Sequence, residues 1–164
     1  LAPTLTAEGI STRICSVCSA PDTKPIEKLK DQNLPTGKIT VNDATNWTNL
    51  ATNIDFNLYG YKSANIVITA EDDVEVKDVS YYISNTALSS EQLAALTSWT
   101  SGKNITLTSV GKYVVYAKIT DSSDNISYIS TNGIVIDNVS PVIVGIDHSH
   151  SLRLYSSEEA VFLC

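Results

Sequence analysis

The chain has 164 residues, 43% of them apolar, and a formal net charge of -7. This length and composition suffice to bury one hydrophobic core. The acidic balance, without a stripe of Lys or Arg, argues against nucleic acid as a partner. No apolar run reaches the length of a bilayer span, so we expect no membrane insertion. The chain starts at Leu1 and contains no Met, which is typical of a processed chain or an excised fragment.

Residues 1–35 differ in composition from the rest of the chain. They contain Cys15, Cys18, four prolines and the polar run KLKDQNLPTG, which is typical of a linker. From Lys38 onward the sequence consists of short β-rich segments. KITV predicts an opening strand and NIVITA a second one. VKDVSYYIS (76–84) alternates so that one face carries Val79, Tyr81 and Ile83.

Two segments have helical spacing. In NTALSSEQLAAL, Ser89 and Gln92 stand three apart as in a capping box, and Leu93 and Leu96 then share a face. We expect this short helix to close an edge of the sheet. A second candidate, DATNWTNLA from Asp43, has apolar residues three apart but is rich in Thr and Asn, which are poor helix formers.

The segment GKYVVYAKITDSSDNISYISTNGIVIDN (111–138) predicts two antiparallel strands. Its alternation places Tyr113, Val115, Ala117 and Ile119 toward the core and Val114 on the opposite face. DSSDN makes the turn, and TNG interrupts the returning strand before GIVID resumes. A Gly two residues before Tyr113 indicates a tyrosine corner. These patterns favour an all-β fold, an antiparallel sandwich.

The region from about Trp47 to Ile143 resembles bacterial immunoglobulin-like repeats of large exported, often wall-attached proteins of Gram-positive bacteria. The matching pieces are Trp47 and Phe56 as W-x8-F, VITAEDD, VSYYIS and the segment from Gly111 to Pro141. In such repeats a Gly usually stands where this chain has Asp124, a substitution that a left-handed turn position tolerates. The segment PVIVGID then resembles the first strand of a following repeat. The resemblance implies an immunoglobulin-like β-sandwich with a short helical insert and an exported setting, but no ligand.

The N-terminal segment resembles a second repeat of such proteins, with the core TR-x-CSVCG-x-x-x-TKPI. Its relatives usually carry a further Cys where Leu5 stands. The predicted organisation is therefore a Cys-containing segment and linker, the tail of a preceding repeat, at 1–35, the sandwich at 36–140, and the start of a following module or a C-terminal strand at 141–164. AVFLC, at the end of the chain, resembles the first strand of a further element.

The candidates for metal binding are Cys15 and Cys18, which form half of a zinc knuckle. Zinc needs four ligands and no second pair follows at a plausible spacing, so we predict no metal and no cofactor; a local disulfide and free thiols are the alternatives. The acidic cluster at 71–75 lacks the D-x-D-x-D-G spacing of a calcium loop and is interpreted as a solvated turn. Asp121 and Asp124 are interpreted as turn formers.

The candidates for ligand binding are aromatic. Tyr59 and Tyr61 are two residues apart, so in a strand both side chains could lie on the same face. With Trp99 and Trp47 they are candidates for a surface on which a sugar ring stacks. Tryptophans in a small sandwich, however, usually cap the core. For catalysis the chain offers no G-x-S-x-G and no convincing His partner for a Ser, so no catalytic residues and no enzyme are predicted.

The functional prediction is a non-catalytic spacer or presentation module of a large secreted or wall-attached bacterial protein. Its partners would be neighbouring repeats of the same chain. The alternative is a module that binds a glycan or a host protein, as in an adhesin or an accessory domain of a secreted glycosidase. Sequence does not decide between them, because function resides in a site grafted on the fold.

Overall fold

The computed structural model describes residues 1–43, 45–56, 58–140, 143–147 and 153–156, and for 58–61, 143–147 and 153–156 it describes the backbone alone. The elements, in chain order, are β1 (Gly9–Ile14), β2 (Pro21–Ile26), β3 (Thr36–Val41), β4 (Thr45–Trp47), β5 (Leu58–Tyr61), β6 (Ala64–Glu71), β7 (Val76–Ser84), α1 (Ser90–Ala95), β8 (Thr100–Ser101), β9 (Asn104–Leu107), β10 (Gly111–Asp121), β11 (Ile126–Ser130), β12 (Ile134–Ile136), β13 (Ile143–Asp147) and β14 (Arg153–Ser156).

The strands form two sheets that pack face to face. One separate hairpin precedes these sheets in the sequence, and a second hairpin follows them. One sheet has the order β4-β3-β6-β9, and the other has the order β5-β12-β10-β7-β8, with β11 also paired to β10. Among the described strands, every pairing is antiparallel except that of β5 with β12. The hairpins are β1-β2 and β13-β14. The predicted all-β, largely antiparallel architecture is confirmed.

The main core lies between the two sheets. It consists of buried apolar side chains from alternate positions of the strands: Ile39, Val41, Ala64, Ile66, Ile68, Val79, Ile105, Leu107, Val115, Ala117, Ile119, Ile129, Ile134 and Ile136. Tyr81, Ile83 and Tyr113 pack against it, as the alternation in β7 and β10 predicts. Burial of this continuous apolar layer is the main stabilising term of the fold.

The opposite face of β10 is also buried, which the sequence interpretation missed. Val114 and Tyr116 are 0% and 1% exposed and pack with Leu93 of α1 in a second cluster. The Tyr116 hydroxyl accepts a hydrogen bond from the Leu88 N–H at 2.7 Å. The expected solvent-facing position of Val114 is therefore wrong. A layer formed by α1 and by the chain around 50–56 covers this face, and strand alternation does not reveal such a layer.

Helix α1 has the capping box expected from its sequence. The Ser89 side chain accepts a hydrogen bond from the Gln92 N–H, and the Gln92 side chain accepts one from the Ser89 N–H at 2.8 Å. Leu93 is buried and Leu96 half-buried in the second cluster, so the helix covers the central strand rather than an edge. No helix in the described ranges is long and apolar enough to cross a membrane.

The second predicted helix, from Asp43, is wrong. Thr45–Trp47 forms strand β4, which pairs with β3 from Ile39↔Trp47 to Val41↔Thr45. Asn42 and Asp43 adopt left-handed φ values of 48° and 57°, which these residue types tolerate and which reverse the chain. Turn chemistry and β-branched residues therefore override the apolar spacing.

The predicted tyrosine corner is present at the start of β10. The Tyr113 hydroxyl donates to the Ser109 carbonyl at 3.0 Å, four residues upstream. A Cβ on Gly111 would lie 3.0 Å from the Tyr113 hydroxyl, so the ring closes against a position without a side chain. The turn after β10 also agrees with the sequence, since Asp124 has a φ of 68°. The returning strand is interrupted after Ser130 and resumes at Ile134.

The chain enters and leaves the sandwich at opposite ends of β10. Residues 27–35, which we name the junction segment, precede β3 and lie against the turn that follows β10, because the Asp31 N–H donates to the Ser123 hydroxyl. At the other end, Ile136 of β12 pairs with Gly111, the first residue of β10. A strand of eleven residues spans about 36 Å at ~3.3 Å per residue.

Burial on both faces of β10 predicts that Val115→Asp and Val114→Asp are both severely destabilising. Each substitution buries an unpaired carboxylate and should lower the free energy of unfolding by roughly 3 kcal/mol or more. Val110→Asp is the matched control, because Val110 is 54% exposed and its substitution should be nearly neutral. Urea denaturation of the three variants provides the comparison. A Val114→Asp chain as stable as the control would contradict the covered outer face.

Candidate cation site

Three aspartates from distant parts of the sequence meet at the end of the sandwich where the junction segment arrives. Asp31 belongs to that segment, Asp72 follows β6, and Asp121 ends β10. One carboxylate oxygen of each lies within 4.8 Å of the other two. Asp31 is 4% exposed, Asp121 is 0% exposed and Asp72 is partly buried. We name these three residues the aspartate cluster.

Asp121 is held by the turn that it initiates. Its Oδ1 accepts hydrogen bonds from the N–H groups of Ser123 and Asn125 at 2.9 and 2.7 Å, and its Oδ2 accepts one from the Asn125 side chain at 2.7 Å. Burial raises the pKa of Asp121. The hydrogen bonds from Asn125 and Ser123, together with the charge of Lys77, lower this pKa by more than burial raises it, so the net shift is downward. These hydrogen bonds therefore favour the carboxylate form of Asp121.

Asp72 and Asp31 each use only one oxygen in hydrogen bonds. Asp72 Oδ2 accepts from the N–H groups of Val74 and Glu75, both at 3.0 Å, and Asp31 Oδ1 accepts from the Asn33 N–H at 2.9 Å. Asp72 Oδ1 and Asp31 Oδ2 are buried and have no hydrogen-bond partner among the described residues. A buried acceptor without a partner is costly, and a bound ion is one of the ways to satisfy it.

Asn125 fastens the junction segment to the turn. Its Nδ2 donates to the carbonyl oxygens of Asp31 and Asn33, both at 3.0 Å, as well as to the Asp121 carboxylate. The Asn33 side chain in turn donates to Asp73 at 2.9 Å. The junction segment thus lies against the sandwich through polar contacts around its own member of the aspartate cluster, Asp31.

Nearby cations do not neutralise the cluster by contact. Within the described ranges the one ion pair joins Lys77 to Asp124, at 2.5 Å. Hydrogen bonding to Asp124, and then its charge, raise the pKa of Lys77. Three carboxylates, two of them buried, therefore lie together without a Lys or Arg in contact.

Sequence reasoning found two of these residues but not their association. The sequence predicts a solvated turn at Asp72 and a turn at Asp121; both residues do shape turns, and their carboxylates also converge with Asp31. Asp31 stood in a polar run that is typical of a linker, so nothing in that run indicated burial. The usable signal was the D-x-N pattern of Asp31 and Asn33, since Asp and Asn organise turns through local hydrogen bonds.

Cys15 and Cys18 lie in the turn of the β1-β2 hairpin. Both are exposed and free, and the Cys18 N–H approaches Cys15 Sγ at 3.5 Å. Hydrogen bonds from the Cys18 side chain, then from the N–H groups of Cys18 and Val17, lower the pKa of Cys15. Among the described residues, the aspartate cluster is the group of three or more potential metal ligands that comes together, and neither Cys belongs to it. Cys164 lies outside those residues.

The aromatic candidates are in different situations. Trp99 is half-buried, stacks on Tyr128 with ring centroids 5.8 Å apart, and packs against the second cluster. Trp47 packs against the main core. The backbone of Tyr59 and Tyr61 belongs to strand β5, but their side chains lie outside the described part of the structure. Trp99 and Trp47 therefore pack against different clusters of the fold.

Comparisons of the chain with protein-family models, with curated proteins and with solved structures gave no match.

The geometry predicts that Asn125 is the main polar link between the junction segment and the sandwich. Asn125→Ala removes a side-chain amide whose two N–H donors are shared among three oxygens, one of them of a carboxylate, and should cost about 2–3 kcal/mol of unfolding free energy. Amide hydrogen exchange in residues 27–35 should also become faster. Asn104→Ala, at an exposed position of strand β9, is the control and should change neither quantity much. Unchanged exchange in the junction segment of the Asn125→Ala chain would contradict this role.

Proposed function

We propose that the chain is a non-catalytic, immunoglobulin-like spacer or presentation module of a large exported bacterial surface protein. The observation that carries the proposal is the placement of the two chain connections at opposite ends of β10, with the junction segment hydrogen-bonded at one end and β12 ending at the other. A module connected in this way adds about 36 Å of length to a chain of modules for each sandwich.

The topology supports the immunoglobulin-like part of the proposal. Under this proposal β3, β6 and β9 are the strands of one immunoglobulin-like sheet and β7, β10, β11 and β12 those of the other, with β4, β5 and β8 added at the edges. The tyrosine corner at Tyr113 lies where such folds have it, at the start of the strand that follows the crossing between sheets. The inter-sheet disulfide of antibody domains has no equivalent, because the cysteines stand at 15, 18 and 164.

The distribution of apolar residues supports the spacer part. Both faces of β10 are committed to internal packing, in the main core and in the second cluster. Trp99 and Tyr128 are drawn into that second cluster together with Tyr82, so these rings contribute to closing the fold. The exported setting and neighbouring repeats as partners rest on the resemblance of the segment from Trp47 to Ile143.

A spacer under tension should unfold as one unit when it is pulled through its two connections. In single-molecule extension of the chain between handle domains, we expect one cooperative step for the sandwich. Its contour-length gain should be roughly 330 Å, from about 100 residues at ~3.6 Å each less the folded length of about 36 Å. The chain carrying Val115→Asp should lose this step. Gradual extension of the unmodified chain without a discrete step would contradict the proposal.

The alternative, a binding module, predicts a different result. On a glycan array the spacer proposal expects no binding tighter than millimolar. A submillimolar hit that Tyr59→Ala or Tyr61→Ala abolishes, while circular dichroism and Tm stay unchanged, would replace the spacer with the binding module. Trp99→Ala is a poor probe because that ring packs against the second cluster and its loss should destabilise the fold.

A further inference from the structure

We propose that the aspartate cluster of Asp31, Asp72 and Asp121 binds a calcium ion, which fastens the junction segment to the sandwich. The three residues come from separate segments, and one carboxylate oxygen of each lies within 4.8 Å of the other two. Calcium-to-oxygen distances of 2.3–2.6 Å place ligand oxygens at such separations around one ion. The inference concerns a metal site and does not require that the chain act as a spacer.

The unpartnered oxygen of Asp31 is the observation that turns an acidic cluster into a site. Asp31 is 4% exposed, and its Oδ2 is buried without a hydrogen-bond partner in the described structure. Asp72 Oδ1 is likewise buried without a partner among the described residues. Exposed acidic clusters are solvated by water, but these oxygens are removed from water and still lack a donor. Each is therefore free to coordinate an ion.

The surrounding hydrogen bonds fix the ligands in place. Asp121, Asp72 and Asp31 each have one oxygen anchored by backbone N–H groups of their own turns. Anchoring of this kind orients the remaining oxygens before an ion arrives. The carbonyl oxygens of Asp31 and Asn33 converge on the same region, where Asn125 donates to both.

The charge balance favours a divalent cation. Three carboxylates meet here, and the one described ion pair, Lys77 with Asp124, includes none of them; Lys77 acts on Asp121 through its charge and not by contact. Like charges at this separation repel, and either a shared proton or a bound cation relieves the repulsion. The donor set consists of hard oxygens, which exclude zinc and copper as preferred ions.

Calcium fits this donor set better than magnesium. Calcium accepts six to eight oxygens in irregular arrangements that mix carboxylates, carbonyls and water, whereas magnesium demands a near-ideal octahedron and retains several waters. The aspartate cluster combines ligands from three turns, without the regular spacing of a single loop. A calcium ion held there would connect residue 31 to both loops at this end of the sandwich.

Isothermal titration of the metal-free 164-residue chain with Ca²⁺ tests the site. We expect one ion per chain with a dissociation constant of about 10⁻⁵–10⁻³ M, the range of weaker sensor and extracellular sites. Asp31→Asn and Asp72→Asn should weaken binding at least tenfold. Glu71→Gln, the matched control, removes one charge from the exposed neighbour of Asp72 and should change the affinity by less than about twofold.

Thermal melting supplies a readout that a purely structural role of Asp31 would not give. At about 10 mM Ca²⁺ the unmodified chain should gain on the order of 5 °C in Tm, and Asp31→Asn should gain little. Without calcium the order should reverse, because Asp31→Asn removes repulsion and supplies a donor, so this variant should melt at or above the unmodified chain.

Tryptic cleavage after Lys28 and Lys30, both exposed in the junction segment, should slow several-fold with calcium in the unmodified chain alone.

Several results would overturn the proposal. No calcium binding by the unmodified chain at about 10 mM, or equal binding by the Asp31→Asn chain, would remove the site. Equal loss of affinity in Glu71→Gln and Asp31→Asn would reduce it to general electrostatic attraction. Equal affinity for Mg²⁺ would remove the assignment to calcium. None of these results bears on the extension experiment, which tests the spacer function separately.

Discussion

Strand β10 is the element on which the rest of the molecule depends, because it is buried on both faces and organised at both ends. Its inner face supplies Val115, Ala117 and Ile119 to the main core, and its outer face supplies Val114 and Tyr116 to the second cluster. The corner at Tyr113 fixes where the strand begins, and the turn at Asp121 fixes where it ends. Packing in the middle therefore positions the polar ends.

What the sequence could predict was local. The faces of β7 and β10, the capping box at Ser89 and the left-handed Asp124 depend on residues a few positions apart, and the structure agrees with each. The burial of Val114 depends on a short helix and a loop that fold over it from elsewhere in the chain. Alternation within one strand carries no information about such a layer.

The aspartate cluster illustrates the same limit more sharply. Each of its residues has a sufficient local explanation, because Asp31, Asp72 and Asp121 all accept hydrogen bonds from backbone N–H groups of their own turns. Only the pairing of β3 with β6 and of β7 with β10 brings these turns to one end of the sandwich. The site is therefore a product of sheet register. The same limit applies to the aromatic candidate Trp99. Its residue type suggests ligand binding, but its position in the structure is set by packing against the second cluster.

A cation at the junction would make the stiffness of the connection conditional. Without an ion, repulsion among three carboxylates opposes the hydrogen bonds through which Asn125 and Ser123 hold the segment. With an ion, all three carboxylates are attracted to the same cation, so the electrostatic interaction at this junction changes from repulsive to attractive. This change acts on residue 31, which belongs to the junction segment. Extracellular calcium modules bind with dissociation constants of about 10⁻⁴–10⁻³ M, close to millimolar calcium levels. A junction of this kind would be stiff where calcium is available and looser where it is not, while the main core, which contains no ligand, would remain folded in both conditions.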